Sequence, residues 1–109
     1  MRKPRSVYVQ ATRYKLVFDP DLRETHHAHG MQDWANKVIT LDASLTGHTM
    51  AEVFIHELGH AVYAAGNLGA ARDEEDMVSR CAAMIIELAM NPRNKPAWTW
   101  WKHLLDPTA

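Results

Sequence analysis

The feature that most constrains this chain is the pentapeptide H-E-L-G-H at positions 56–60, inside a segment that has the pattern of a buried helix. Apolar residues cover most of the surface of a helix over residues 50–65, and Gly66 follows as its candidate C-cap. Thr49 and Glu52 have the spacing of a capping box, so we expect Thr49 to be the N-cap. A helix that is apolar nearly all round must be covered by other elements, so the fold is built around it.

The two histidines of this pentapeptide have the spacing of a metal site. Residues i and i+4 lie about 40° apart around a helix, so His56 and His60 project together and can reach one metal ion. Neutral imidazole is a standard zinc ligand, and Glu57 lies beside the pair, where it can act on a water that the metal polarises. Burying these polar side chains without a metal would be costly, so the spacing predicts a metal site.

A third ligand must come from elsewhere in the fold, because a catalytic zinc usually has three protein ligands. The acidic run at positions 73–76 begins the next predicted helix, and both Glu74 and Glu75 fall near its core face. We favour Glu75, because Ser79 lies one turn later and could hydrogen-bond a ligand histidine. Glu74 stays open as an alternative, since acids at a helix N-terminus are also common without a metal.

The remaining pattern predicts a small β-sheet packed on this helix. Residues 13–18 and 37–42 have the composition of strands, and we expect them to pair, with a polar, histidine-rich loop over 22–36 between them. Gly30 is available in that loop for a turn with positive φ. Gly59 is unfavourable inside a helix, which predicts close approach of a strand backbone at this point. The fold class expected is therefore α+β.

Two more helices and a basic arm complete the predicted organisation. The second helix runs to about residue 90 and carries an apolar face at three- and four-residue spacing, formed by Val78, Cys81, Ala82, Ile85, Leu88 and Ala89. A short tryptophan-rich helix over 97–105 is expected to cover the core rather than to line a cleft or an interface. Residues 1–12 have the character of a frayed basic arm, with a short extended piece at 7–9.

Size and charge limit the classes of function. A chain of 109 residues is one domain, here 1–109. Its formal charge of −1 argues against nucleic acid or an anionic membrane as the main partner. No apolar stretch is long enough to span a bilayer, and no signal peptide follows the basic start, so we expect a cytoplasmic protein. Cys81 is the single cysteine and cannot form an internal disulfide.

The order of these motifs resembles a known group of proteins. H-E-L-G-H, followed about fifteen residues later by an acidic helix start, is similar to the gluzincins, zinc peptidases with two histidines and a glutamate as ligands. Residues 36–92, with a strand, H-E-L-G-H-A, E-E-x-x-V-x-x-x-A and then Asn91-Pro92, resemble the small HExxH proteins of phages and prophages, distant relatives of the ImmA/IrrE-type metallopeptidases. The chain departs from the larger family in having no helix before its first strand.

This resemblance implies a minimal zincin-like fold, in which a small twisted sheet packs on the active-site helix and a second helix carries the glutamate. It implies one zinc per chain, bound by His56, His60 and Glu75, with Glu57 as the general base. Other divalent metals also suit such a ligand set.

Two functions follow as expectations. The first is a zinc-dependent peptidase whose substrate peptide adds to the strand at 37–42, with Tyr63 and either His27 or His29 as candidate oxyanion donors. The alternative is a non-catalytic, zinc-binding phage or prophage accessory protein that binds a host or viral protein in the host cytoplasm. The small size favours the alternative, whereas the presence of Glu57 favours the peptidase.

Overall fold

The computed structural model describes residues 2–108, which form a mixed four-stranded β-sheet with helices packed against it. The strands are β1 (Ser6–Val9), β2 (Thr12–Asp19), β3 (Gly30–Asp33) and β4 (Val38–Asp42). The helices are α1 (Leu22–His26), α2 (Gly47–Ala65), α3 (Glu74–Met90) and α4 (Lys95–Leu105), with short 3₁₀ turns at Leu68–Ala70 and Pro92–Asn94. The predicted α+β class is confirmed.

The strand order in the sheet is β1-β2-β4-β3. Strands β2 and β4 pair in parallel, with Leu16 opposite Ile39, so the predicted pairing of segments 13–18 and 37–42 is confirmed. Strands β1 and β3 pair antiparallel to β2 and β4, respectively. The strand at 37–42 therefore has no free edge in the described sheet, contrary to the expectation that a substrate peptide adds to it. Strand β4 has a partner on both sides, and β1 and β3 form the edges.

Strand β1 replaces part of the predicted basic arm. Val7 and Val9 alternate with polar residues and are fully buried, so burial of this apolar pair holds the segment against the core. The fully buried amide of Asn94 accepts a hydrogen bond from the Tyr8 N–H at 2.6 Å and donates to the Tyr8 carbonyl at 2.8 Å. The same amide donates to the Leu88 carbonyl at 3.2 Å. The short extended piece predicted at 7–9 is thus confirmed as strand β1, whereas the prediction that the surrounding arm is frayed is wrong for the residues that this strand and the following turn include.

The segment between the first two predicted strands is also more ordered than a loop. Leu22 is buried and anchors the short helix α1, and His27 ends this helix in the left-handed region with a φ of 53°. Strand β3 has no β-branched residue, and its pairing with β4 overrides its weak strand propensity. The prediction of a polar loop over 22–36 is correct only for the residues around these two elements.

Helix α2 begins at Gly47, three residues before the predicted start, with Thr46 at the N-cap position. Thr49 therefore lies inside the first turn and does not cap the helix. Gly66 is the C-cap residue, as predicted. The buried ring of Phe54 packs edge-on against Trp100 of α4, with ring centroids 5.3 Å apart. Helix α4 covers the core through Trp100, as predicted, but Trp98 and Trp101 of the same helix also line a groove.

Helix α3 buries only part of the predicted face: Leu88 is buried and Cys81 packs against the core, but Met84 takes the place of the remaining predicted positions. Met84 and Leu88 are buried, whereas Val78 and Ile85 are 54% and 58% exposed. In the turn between β1 and β2, the Gln10 N–H donates to the Glu87 carboxylate of α3 at 2.9 Å. The Gln10 amide also contacts the Met84 sulfur at 3.4 Å.

Among the described residues, none of the helices combines the length and the apolar character that a membrane span requires.

Candidate metal centre

Helix α2 brings His56, Glu57 and His60 together, and one possible ligand atom from each lies within 4.8 Å of the other two. The two histidines are exposed on the helix surface, and their Nε2 atoms are 3.3 Å apart. The ring planes are inclined at 79°. The predicted convergence of these side chains is therefore present in the fold, as one turn of helix dictates.

The distance between the two Nε2 atoms fits a shared metal ion. Zinc binds histidine nitrogens at about 2.0–2.1 Å in tetrahedral geometry, which places two such nitrogens about 3.3 Å apart. The observed separation of 3.3 Å equals this tetrahedral edge. The separation of the two nitrogens is therefore compatible with a shared zinc ion.

The carboxylate of Glu57 is held in a cradle formed by strand β3. Glu57 is only 7% exposed, and a Cβ on Gly30 would lie 2.7 Å from its Cγ and 3.0 Å from its Cδ. The Oε2 atom is buried and has no hydrogen-bond partner among the described residues. A buried acceptor without a partner costs about 1–3 kcal/mol, so this oxygen favours a cation or a proton donor beside it. The chemistry of the three side chains thus fits a divalent metal.

Two residues of this cradle were missed by the sequence reasoning. Gly30 was expected to adopt positive φ, but it opens strand β3, and its lack of a side chain makes room for Glu57. The Gln32 side-chain amide donates to the backbone carbonyl of Glu57 and so joins β3 to the middle of α2. No sequence signal marked either role, because β3 itself could not be recognised from its composition.

Glu75, the predicted third ligand, lies in the first turn of α3 and is exposed, as is Glu74. Among the described residues, the group that converges consists of His56, Glu57 and His60, without either of these acids. The role of Glu75 therefore stays a prediction.

The two aspartates of this acidic run make contacts at the start of α3. The Asp73 side chain caps α3 by accepting the Asp76 N–H at 2.9 Å. The pKa of Asp76 is lowered by the Arg72 N–H that its carboxylate accepts and by the Arg80 side chain. These two aspartates are engaged by the start of their own helix, which is the ordinary role of acids at this position.

The candidate oxyanion donors lie outside the converging group. His29 places its Nδ1 atom 3.6 Å from the buried carboxylate of Asp42, and His27 is exposed at the end of α1. Tyr63 lies on α2 one turn beyond His60 and is 52% exposed. Its hydroxyl packs so close to Gly69 that a Cβ there would lie 2.9 Å away.

The predicted close approach at Gly59 is wrong. Nothing lies within 4 Å of the position that a Cβ would occupy there. Gly59 instead lines an apolar groove of about 580 Å³ between α2, α3 and α4. A larger cavity, of about 820 Å³, lies between residues 2–6 and the start of α4, but none of the candidate site residues lines it.

Comparison of the chain with protein-family models, with curated proteins and with solved structures gives no significant match.

Proposed function

We propose that this chain is a zinc-dependent peptidase in which His56 and His60 bind the metal, Glu75 completes the ligand set and Glu57 is the general base. The observation that carries the proposal is the 3.3 Å separation of the two Nε2 atoms beside a buried, unpartnered carboxylate oxygen. A purely structural zinc site would instead be expected to have a fourth protein ligand and no free base.

Each side chain then has a defined task. Zinc in such a site supplies Lewis acidity, which makes water a nucleophile near neutral pH and polarises a scissile carbonyl. Glu57 accepts the proton of the attacking water and afterwards delivers it to the leaving amine. The contact with Gly30 fixes the carboxylate in place, and its burial keeps competing hydrogen-bond donors away from Oε2.

The substrate proposed for this site is an extended peptide that adds to strand β3. One side of β3 pairs with β4, and in the sheet of the described residues its other side is an edge. Main-chain hydrogen bonds along such an edge are a general way to bind a peptide. Because Gly30 contacts Glu57 and Gln32 holds its carbonyl, a peptide on this edge would pass directly beside the base. The proposed fold is accordingly a minimal zincin-like arrangement of edge strand and metal-binding helix.

A second candidate is a non-catalytic zinc-binding accessory protein of a phage or prophage that binds a host or viral protein in the host cytoplasm. The exposure of large apolar side chains on α3 favours it, since Val78 and Ile85, two turns apart on one face of this helix, are 54% and 58% exposed. Apolar side chains grouped on a surface are typical of sites that bind another protein.

The test combines metal analysis with replacement of the base. Protein purified without chelator or histidine tag is analysed for metal by elemental mass spectrometry, and cleavage of a peptide library is followed by mass spectrometry. We expect about one zinc per chain. The Glu57→Gln variant should lose cleavage by at least about a hundredfold while keeping its zinc. Zinc without cleavage in the unaltered protein would support the second candidate, and no zinc uptake on titration would overturn both.

A further inference from the structure

The apolar groove begins on the side of the histidine pair opposite to the general base. Because successive residues advance by about 100° around a helix, Glu57 and Gly59 diverge from His56 in opposite directions. Glu57 faces strand β3, whereas Gly59 faces the groove between α2, α3 and α4. The metal-binding residues therefore lie between the edge strand and the groove.

Gly59 makes the groove reach the helix backbone beside these histidines. It directly precedes His60, and a Cβ at this position would have no neighbour within 4 Å. Ile85 of α3 and Trp98 and Trp101 of α4 supply apolar walls. The volume of about 580 Å³ lies within the range of about 300–1,000 Å³ that is usual for ligand pockets.

The groove is apolar but carries one positive charge. Lys102 is the charged residue among those that line it, and the others are apolar apart from the Tyr63 hydroxyl and the Cys81 thiol. Among residues 2–108, no carboxylate forms an ion pair with Lys102 within 4.0 Å. A ligand that matches this surface has a bulky apolar part and a negative charge near it.

We propose that this groove is the specificity pocket of the peptidase: it takes a large apolar side chain of the substrate, and an acidic residue nearby in that peptide pairs with Lys102. The inference rests on the proposed function, since the groove acquires this role from its position beside His56 and His60. The expected substrates are peptides that combine a large apolar and an acidic residue on one side of the scissile bond.

The first experiment measures binding to the groove without catalysis. Zinc-free Glu57→Gln protein is titrated with acetylated, amidated hexapeptides that carry Phe or Ala at one position and Asp or Lys two positions later. Tryptophan fluorescence reports binding, because Trp98 and Trp101 line the groove. The peptide with Phe and Asp should bind at least about tenfold more tightly than its Ala counterpart, as burial of a large apolar side chain requires. It should also bind more tightly than its Lys counterpart.

Matched variants locate the site. Ile85→Glu should abolish this binding, whereas Ile86→Glu, which alters a similarly exposed neighbour outside the groove, should leave it unchanged. Lys102→Glu should reverse the preference from Asp to Lys in the peptide, and Lys95→Glu on the same helix should not. Gly59→Leu should block the groove, and circular dichroism is expected to show a retained fold because no atom obstructs the new side chain.

The outcomes separate this proposal from the peptidase itself. Cleavage by the unaltered chain with no effect of Ile85→Glu or Lys102→Glu on peptide binding or KM would overturn the pocket and leave the peptidase standing. The predicted binding pattern could also occur although the unaltered, zinc-loaded chain cleaves none of the peptides. This result would support the groove as a peptide-binding site and reject the peptidase. A dimer in sedimentation equilibrium that Ile85→Glu dissociates would overturn the proposal, because a second copy would then occupy the groove.

Discussion

A methyl group on Gly30 would lie 2.7 Å from the Cγ atom of Glu57. Strand β3 therefore approaches the candidate base on helix α2 too closely for any side chain at position 30. We therefore expect Gly30→Ala to displace the Glu57 carboxylate. A displacement of about 1 Å can lower activity by about a hundredfold. The prediction is checked by measuring kcat/KM and zinc content together, since the zinc content should not change.

A double-mutant cycle separates this contact from a general effect on folding. Gly30→Ala should lower the free energy of unfolding by about 1–3 kcal/mol, the usual cost of overpacking. In a Glu57→Ala background the cost should become smaller, because the two closest atoms are gone and the next closest, Cγ1 of Val53, lies at 3.2 Å. Equal costs in both backgrounds would contradict the cradle.

Zinc should stabilise the fold through the histidine pair. A ligand that binds only the native state at a hundred times its Kd adds about 2.7 kcal/mol to the free energy of unfolding. We expect zinc to raise the urea midpoint of the unaltered chain and to have little effect on His56→Ala or His60→Ala. His48→Ala is the matched control, because His48 is an exposed histidine on the same helix. Loss of the zinc effect in His48→Ala would place the metal elsewhere.

The parts of the fold that the sequence predicts well depend on local periodicity. The helix around H-E-L-G-H could be recognised because apolar residues cover most of its surface. The four-residue spacing of His56 and His60 is sufficient to bring these two side chains together on that helix. The pairing of β2 with β4 could also be predicted, since both segments have clear strand composition. These features need no knowledge of distant contacts.

The features that could not be predicted depend on residues far apart in sequence. An extended piece at 7–9 could be predicted, but not its attachment through Asn94, which lies 86 residues from Tyr8, and β3 exists because β4 offers it a partner. The exposure of Val78 and Ile85 could not be read from the periodicity of α3, because it depends on which distant elements the fold brings against this helix. The close approach expected at Gly59 is found at Gly30 for the same reason, since only the tertiary fold shows which glycine a neighbour approaches.

Glu75 can be tested against its neighbour. If Glu75 is the third ligand, Glu75→Ala should weaken zinc binding by more than about tenfold, whereas Glu74→Ala should have little effect. Both acids are exposed in the first turn of α3, so neither change should lower the free energy of unfolding of the zinc-free chain appreciably. Isothermal titration with zinc measures the affinities. The opposite ranking would assign the ligand to Glu74, and equal affinities for all three proteins would remove both acids from the metal site.

Asp42 gives the fold a stability that depends on pH. Hydrogen bonds from the Ser44 hydroxyl, at 2.7 Å, and from its N–H hold the pKa of this buried carboxyl below its ordinary value of 3.8, with a smaller contribution from His29. The unfolded chain therefore takes up the proton at a higher pH than the native chain does. The resulting stabilisation is present above pH 3.8 and is lost as the pH falls through the lowered native value.

The Ser44→Ala variant isolates this effect from those of other carboxyl groups. It removes the hydroxyl, the largest cause of the lowered pKa, so the variant should be less stable than the unaltered chain near neutral pH. The difference between the two should shrink as the pH falls below the native pKa, because Asp42 is then protonated in both proteins. Urea unfolding of the zinc-free proteins from about pH 7 to about pH 2 measures it. A difference that stays constant over this range would show that Ser44 acts through packing and not through the charge of Asp42.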